Sequence, residues 1–162
     1  MNKFTHSGLL VRRPASTQDE LWLWTLYHEL LKPSVSEQWG WDEQFQKANF
    51  HSHLPTTLFT IVENNGDPVA AYALRDHDTH IYLHMLLVTA SQQSQSIGTW
   101  ILDTLKEQVR KAGTSLELST FPANNVDGYY LKNGFKLVET REDKTLYRWL
   151  PDDHQASETT NN

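Results

Sequence analysis

The sequence contains no cysteine, and that absence removes several chemistries at once. Disulfide cross-links, zinc–thiolate sites and a cysteine nucleophile are all excluded. Glycine and proline are sparse, at 7 and 6 in 162 residues, too few for a collagenous or low-complexity chain. No apolar run approaches the roughly 20 residues of a membrane-spanning helix. The opening stretch MNKFTHSGLLVRRP lacks the apolar core of a signal peptide, so a cytoplasmic location with no membrane partner is expected. Positive charge is in deficit. The 14 Lys and Arg against 20 Asp and Glu give a net charge of −6, which argues against nucleic acid as a main partner. Apolar residues make up 38%, somewhat below the usual share. The six Trp, six Tyr and six Phe offset part of that shortfall, because each buries a large area.

What remains is the composition of one soluble domain, expected over 1–150. The polar, aromatic-free end DDHQASETTNN is expected to form a disordered tail over 151–162. GLLVRR, Gly8 to Arg13, reads as a first strand closed by Pro14. Thr17 is placed as an N-cap, with Asp19 and Glu20 in the first turn of a helix that Pro33 stops after about Lys32. A second helix covers about Asp42 to His53. TLFTIVE and PVAAYALRD form a hairpin about the turn Asn65-Gly66. HIYLHMLLV, His80 to Val88, is the most apolar strand and is placed at the sheet centre. Ile97, Ile101, Leu102, Leu105 and Val109 recur at helical spacing up to Gly113. SLELS, a short helix from Asn124 or Asn125 to Gly134, and the strands FKLVE and KTLYRWL complete the chain. The order is β-α-α-β-β-β-α-β-α-β-β, an α/β (α+β) pattern with no repeat and no break in composition.

Between the central strand and the long third helix stands SQQSQSIGTW, Ser91 to Trp100. A strand, a polar loop and a helix N-terminus together form an anion site, because first-turn N–H groups lack intrahelical partners and the helix dipole is positive there. Alone, the loop, with its single glycine, reads more readily as an ordinary polar connection than as an anion site. Taken with NNVDGYYLKNGF downstream, it resembles the GNAT superfamily of N-acetyltransferases. The family pattern at the loop is Gln/Arg-x-x-Gly-x-Gly/Ala, opening a helix after an apolar strand. Gln93 matches the Gln/Arg, Ser96 stands at the first Gly and Gly98 at the second, with Ile97 and Thr99 as typical neighbours. The second pattern, an Asn, a helical Tyr and a Gly-Phe, is supplied by Asn124, Tyr130, Gly134 and Phe135, with Asn124 one residue closer to the Tyr than is usual.

The resemblance implies a single-domain GNAT-like fold with a mixed, mostly antiparallel central sheet flanked by helices. It implies acetyl transfer from acetyl-CoA to a primary amine by direct attack, with no metal. Coenzyme A would be held by backbone at Leu86, Leu87 and Val88, by the loop Gln93, Ser94, Gln95, Ser96, Ile97, Gly98 and Thr99, and by Asn124. The serines can serve in place of glycine where φ at Ser94 and Ser96 is negative. Tyr130 takes the place of the family's general acid, with Tyr129 beside it as the alternative, since a phenol can hand a proton to a leaving thiolate. For a base, the central strand offers His84 and the next strand Glu117. A lone His in an apolar strand is more often a satisfied core residue, and Glu117 can simply face solvent. Trp39 and Trp41 are candidates to line the acceptor pocket, against core packing. DHDTH, Asp76 to His80, reads as a turn rather than a metal site. Dimers are frequent in the superfamily, so a homodimer is expected. The rival reading is a non-catalytic acyl-CoA-binding module on the same fold.

Overall fold

The computed structural model describes residues 9–151, apart from the side chains of Ser94 and Gln95. The expected tail lies outside the described residues from 152 onward. Seven strands form a sheet in the order β1-β2-β3-β4-β5-β7-β6, with β4 in the middle as its apolar sequence predicts. Two compact units divide the chain, and their boundaries fall inside β3, β4 and the third helix. Among the described residues no helix is long and apolar enough to cross a membrane.

The first unit comprises the described residues up to Leu74 together with His84–Trp100. Strand β1, Leu10–Pro14, pairs antiparallel with β2, Phe59–Asn64, which pairs antiparallel with β3, Asp67–Asp76. The β2–β3 turn has Asn65 at φ 54° and Gly66 at φ 88°. Both central residues are left-handed, the geometry that Asn-Gly favours in a two-residue hairpin. Ile61, Val62, Ala70, Ala71 and Ala73 are fully buried.

Two helices cross between β1 and β2, and the first departs from expectation at both ends. Helix α1, Glu20–Trp39, carries Pro33 inside it rather than after it. An internal Pro removes one backbone bond and strains a turn, at about 3 kcal/mol. Here the apolar face continues past it: Leu31 and Val35, one turn apart, are both buried, and that burial outweighs the local preference. At the other end, a short 3-10 turn, Thr17–Asp19, precedes α1 and is capped by Ser16 rather than Thr17. The Asp19 carboxylate accepts the Ser16 N–H at 2.8 Å, which closes a capping box one residue earlier. Helix α2, Glu43–His53, begins where predicted, with the Asp42 carboxylate accepting from the Phe45 N–H at 2.9 Å.

The second unit comprises Arg75–Leu83 and the described residues from Ile101 on. Strand β4, His80–Val88, pairs in parallel with β5, Ser115–Thr120, through His80–Leu83 against Ser115–Leu118. Strands β7, Thr145–Trp149, and β6, Lys136–Thr140, follow antiparallel. Helix α3, Ile97–Ala112, buries the whole predicted stripe of Ile97, Ile101, Leu102, Leu105 and Val109. Gly113 ends it at φ 71°, a left-handed stop that glycine takes without steric penalty. Helix α4, Asp127–Lys132, is a short segment between β5 and β6.

Candidate active site

In the first unit, β4 ends at Val88 and the loop after it winds into a 3-10 turn, Ala90–Gln95. The Gln93 side chain turns back and donates from Nε2 to the Val88 carbonyl at 3.1 Å, so it braces the strand end. Leu87 is fully buried, and Leu86 and Val88 are half-buried. Ser96 is the hinge between the turn and α3. Its φ is 63° and its ψ 20°, the left-handed region, and its carbonyl accepts the Trp100 N–H at 3.0 Å. The condition of negative φ is therefore not met at Ser96. The reason is packing: Ile97, the next residue, is fully buried, and the turn that delivers it there needs a left-handed residue. The other non-glycine residues with positive φ among those described are Asn65 and Asn125, a residue type that tolerates this region better than serine.

In the second unit, α4 starts later than predicted. Asn124 ends a 3-10 turn, Pro122–Asn124, and Asn125 at φ 52° breaks the path before Asp127. Asn124 is thus a half-buried turn residue outside the helix. Tyr130 lies in an aromatic nest, with ring centroids 5.2 Å from Tyr129, 5.7 Å from Phe135 and 6.5 Å from Tyr147. Desolvation first, and the neighbouring Tyr129 second, push the Tyr130 phenol above its ordinary value, so it keeps its proton at neutral pH. Among the described residues the Tyr130 hydroxyl makes no hydrogen bond. The Tyr147 phenol is raised as well, by desolvation and then by the neighbouring Asp127. The C-terminal end of α4 is held by Lys106, whose ammonium donates to the Asn133 carbonyl at 2.6 Å. That ammonium also lies 5.8 Å from the Phe135 ring centroid and 5.5 Å from that of Trp149.

The two residues considered for the base differ from both simple readings. His84 is exposed, not a core histidine. Glu117 does not face open solvent: its side chain is 12% exposed, and its carboxylate accepts from Arg148 Nε at 3.0 Å. These two residues sit opposite each other across the β5–β7 ladder. His80 Nδ1 stands 4.0 Å from the same carboxylate. Two residues along β5, Ser119 Oγ accepts from the Tyr82 hydroxyl at 2.6 Å. DHDTH forms a turn in which the His77 N–H donates to the His80 carbonyl at 2.9 Å, with the two rings stacked at 4.7 Å. Among the described residues no three His, Asp or Glu converge as a metal site would require.

The first unit holds a second cluster, between α1 and α2. Trp24 is buried, with Trp41 at 6.3 Å, Tyr27 at 5.9 Å and Phe50 at 5.6 Å. Trp41 belongs to this cluster, whereas Trp39, the last residue of α1, is 56% exposed. Sequence reasoning missed the polar rim. Glu43 Oε1 binds His28 Nε2 at 2.8 Å and accepts from Trp41 Nε1 at 3.1 Å. His51 Nδ1 is 3.6 Å from Glu20 Oε1, and the Lys32 ammonium lies 5.8 Å from the Trp41 centroid. Bonds to His28 first, and to Trp41 second, hold the Glu43 carboxyl below its ordinary value. The signal was present: Glu20 and His28 are spaced like Glu43 and His51, and antiparallel helices pair such a repeat crosswise.

Comparisons with known proteins bear on this arrangement. The sequence profile of the Acetyltransferase (GNAT) family matches residues 23–135. An aminoalkylphosphonate N-acetyltransferase of Salmonella typhimurium is 28% identical over 149 residues, covering 83% of this chain and 90% of that protein. In shape the chain is similar to the PaiA N-acetyltransferase of Thermoplasma acidophilum in complex with coenzyme A. The TM-score is 0.73 at 17% identity, over 88% of this chain and 99% of that one. It is also similar to the ribosomal-protein-S18-alanine N-acetyltransferase of Escherichia coli, with a TM-score of 0.65 at 18% identity, over 87% and 93% of the two chains.

Proposed function

The chain belongs to the GNAT family of acetyltransferases and is an acetyl-CoA-dependent N-acetyltransferase, and on that premise we propose that its acceptor is a small primary amine of the aminoalkylphosphonate class. The observation that carries this reading is the similarity to an aminoalkylphosphonate N-acetyltransferase along nearly the whole of both chains. In this reading the α1–α2 cluster receives the acceptor. The Lys32 ammonium over Trp41 meets the phosphonate oxygens, and the aromatic faces enclose the alkyl chain.

Acetyl-CoA supplies an activated acetyl thioester. The loop after β4 fits the pyrophosphate of such a group: Ala90 to Thr99 carries no acidic side chain. The backbone donors from Gln93 to Thr99 lead into the positive end of a 16-residue helix. We assign Leu86, Leu87 and Val88 to the CoA arm through their backbone, and Asn124 through its amide. Tyr130 holds the proton destined for the departing thiolate. The base falls to His84, since an imidazole ordinarily titrates near neutrality and Glu117 is already bound to Arg148.

The test is thiol release from acetyl-CoA with three acceptors: an aminoalkylphosphonate, the alkylamine of equal length without phosphonate, and a peptide with a free N-terminus. The aminoalkylphosphonate is expected to show kcat/KM at least about tenfold above the plain amine, the loss of one charged contact. Equal rates with the plain amine, or a preference for the peptide, would overturn this acceptor class. Lys32→Met should lower the advantage of the phosphonate while leaving the plain amine unaffected.

A further inference from the structure

Helix α4 has six residues, Asp127 to Lys132, with Gly128 among them. A helix this short is marginal in isolation, and its N-cap, Val126, offers no capping side chain. Its orientation must come from tertiary ties, and the structure shows one at each end. At the C-terminal end, Lys106 holds the Asn133 carbonyl. At the N-terminal end, the Asp127 carboxylate accepts from the Thr120 hydroxyl at 2.6 Å. Thr120 is the last residue of β5 and is buried. The carboxylate therefore ties the start of α4 to the end of a sheet strand. Asp127 and Tyr130 are three residues apart, which places them on the same face of α4.

We propose that Asp127 is a positioning residue for acetyl transfer: its grip on the Thr120 hydroxyl sets the rotation of α4 and so the direction of the Tyr130 hydroxyl. The inference rests on Tyr130 being the proton donor, and the experiment separates the two statements.

Steady-state kinetics are measured for Asp127→Ala, Asp127→Asn, Tyr130→Phe and the double variant Asp127→Ala/Tyr130→Phe, at a temperature well below every Tm. Asp127→Ala is expected to lower kcat about tenfold to a hundredfold, the scale of a displacement of about 1 Å at a reacting group, with the KM for acetyl-CoA changed less than about threefold. Asp127→Asn keeps an acceptor for Thr120 and should recover part of the rate. The double variant should be no slower than Tyr130→Phe, because a misaligned phenol that is absent cannot matter. Full additivity of the two losses refutes the proposal, and so does an unchanged kcat in Asp127→Ala while Tyr130→Phe is impaired. An unchanged Tyr130→Phe refutes the assignment of the acid and the proposal with it. Should Asp127→Ala not fold, Thr120→Val removes the donating hydroxyl with little change of volume and must show the same split between kcat and KM.

Discussion

Ser96 is a left-handed serine at a family glycine position, and replacing it with glycine gives a calculable stability change. An L-residue in this region is destabilised by about 1–2 kcal/mol relative to the right-handed form. Glycine escapes that term but gives up about 0.5–1 kcal/mol through its greater freedom in the unfolded chain. The difference favours Ser96→Gly by about 0.5–1 kcal/mol. For a chain of 162 residues, 1 kcal/mol corresponds to about 2–4 °C in Tm, so a rise of about 1–4 °C is expected. Urea unfolding followed by tryptophan fluorescence should show the midpoint moving up with an unchanged slope. Ser96→Ala is the control. It removes the hydroxyl but keeps the left-handed penalty, so it should stay within about 0.5 kcal/mol of the parent. Ser96→Val adds a β-branched side chain and should lose more than about 1 kcal/mol. Destabilisation by Ser96→Gly, or equal gains from Ala and Gly, would refute the backbone argument and shift the role of Ser96 to its hydroxyl.

Four further expectations follow from the same geometry. The Asp19 carboxyl is lowered to about 2, chiefly by hydrogen bonds from Arg13. Against an unfolded value near 3.9, this contribution is fully present above pH 4 and is lost as pH falls from about 4 to about 2. Its full size corresponds to about 2 kcal/mol, reduced to about 1 by solvent at the 36% exposed Arg13 side chain. Urea midpoints should therefore drop further in that window for the parent than for Asp19→Asn, and parallel curves would contradict this. Gly134 sits at φ 90°, where an added Cβ would stand 3.5 Å from Trp149 Cδ1. That contact is ordinary, so Gly134→Ala should lose only the left-handed backbone cost of about 1–2 kcal/mol, less about 0.5–1 kcal/mol gained by restricting the unfolded chain. The net loss of about 0.5–1 kcal/mol reads as a Tm lower by about 1–4 °C. Because burial raises the Tyr130 phenol, the alkaline side of the rate profile should hold to its ordinary value near 10. A fall centred below pH 9 that vanishes in Tyr130→Phe would disprove that. With His84 as base, the acidic limb of kcat/KM should disappear in His84→Gln, and an unmoved limb would remove His84 from the mechanism.

The elements were legible wherever one local rule dominated. Asn65-Gly66 specifies its turn by itself, and the stripe from Ile97 to Val109 could bury only as a helix. The apolar run from His80 to Val88 marked the centre of the sheet. Acetyl transfer was also legible, because the loop and NNVDGYYLKNGF keep the order of a known family's two motifs, with Ser96 in place of one glycine and Asn124 one residue closer to the Tyr. Pro33 misled as a stop signal because the burial of Val35 lies outside any local window. Ser16 took the cap from Thr17 because the partner that decides it, Asp19, is also held by Arg13 of β1.

The sequence by itself determined the alternation of strands and helices, the chemistry of the transfer and the names of most candidate residues, since these depend on neighbours a few positions apart. Tertiary structure alone decided which of those residues is available to react. Glu117 is paired because Arg148 stands opposite it across a ladder. Tyr130 keeps its proton because the rings of Tyr129, Phe135 and Tyr147 surround it. Protonation and hydrogen bonding depend on distances of a few ångströms between residues far apart in the chain, and those distances exist only after the sheet has closed.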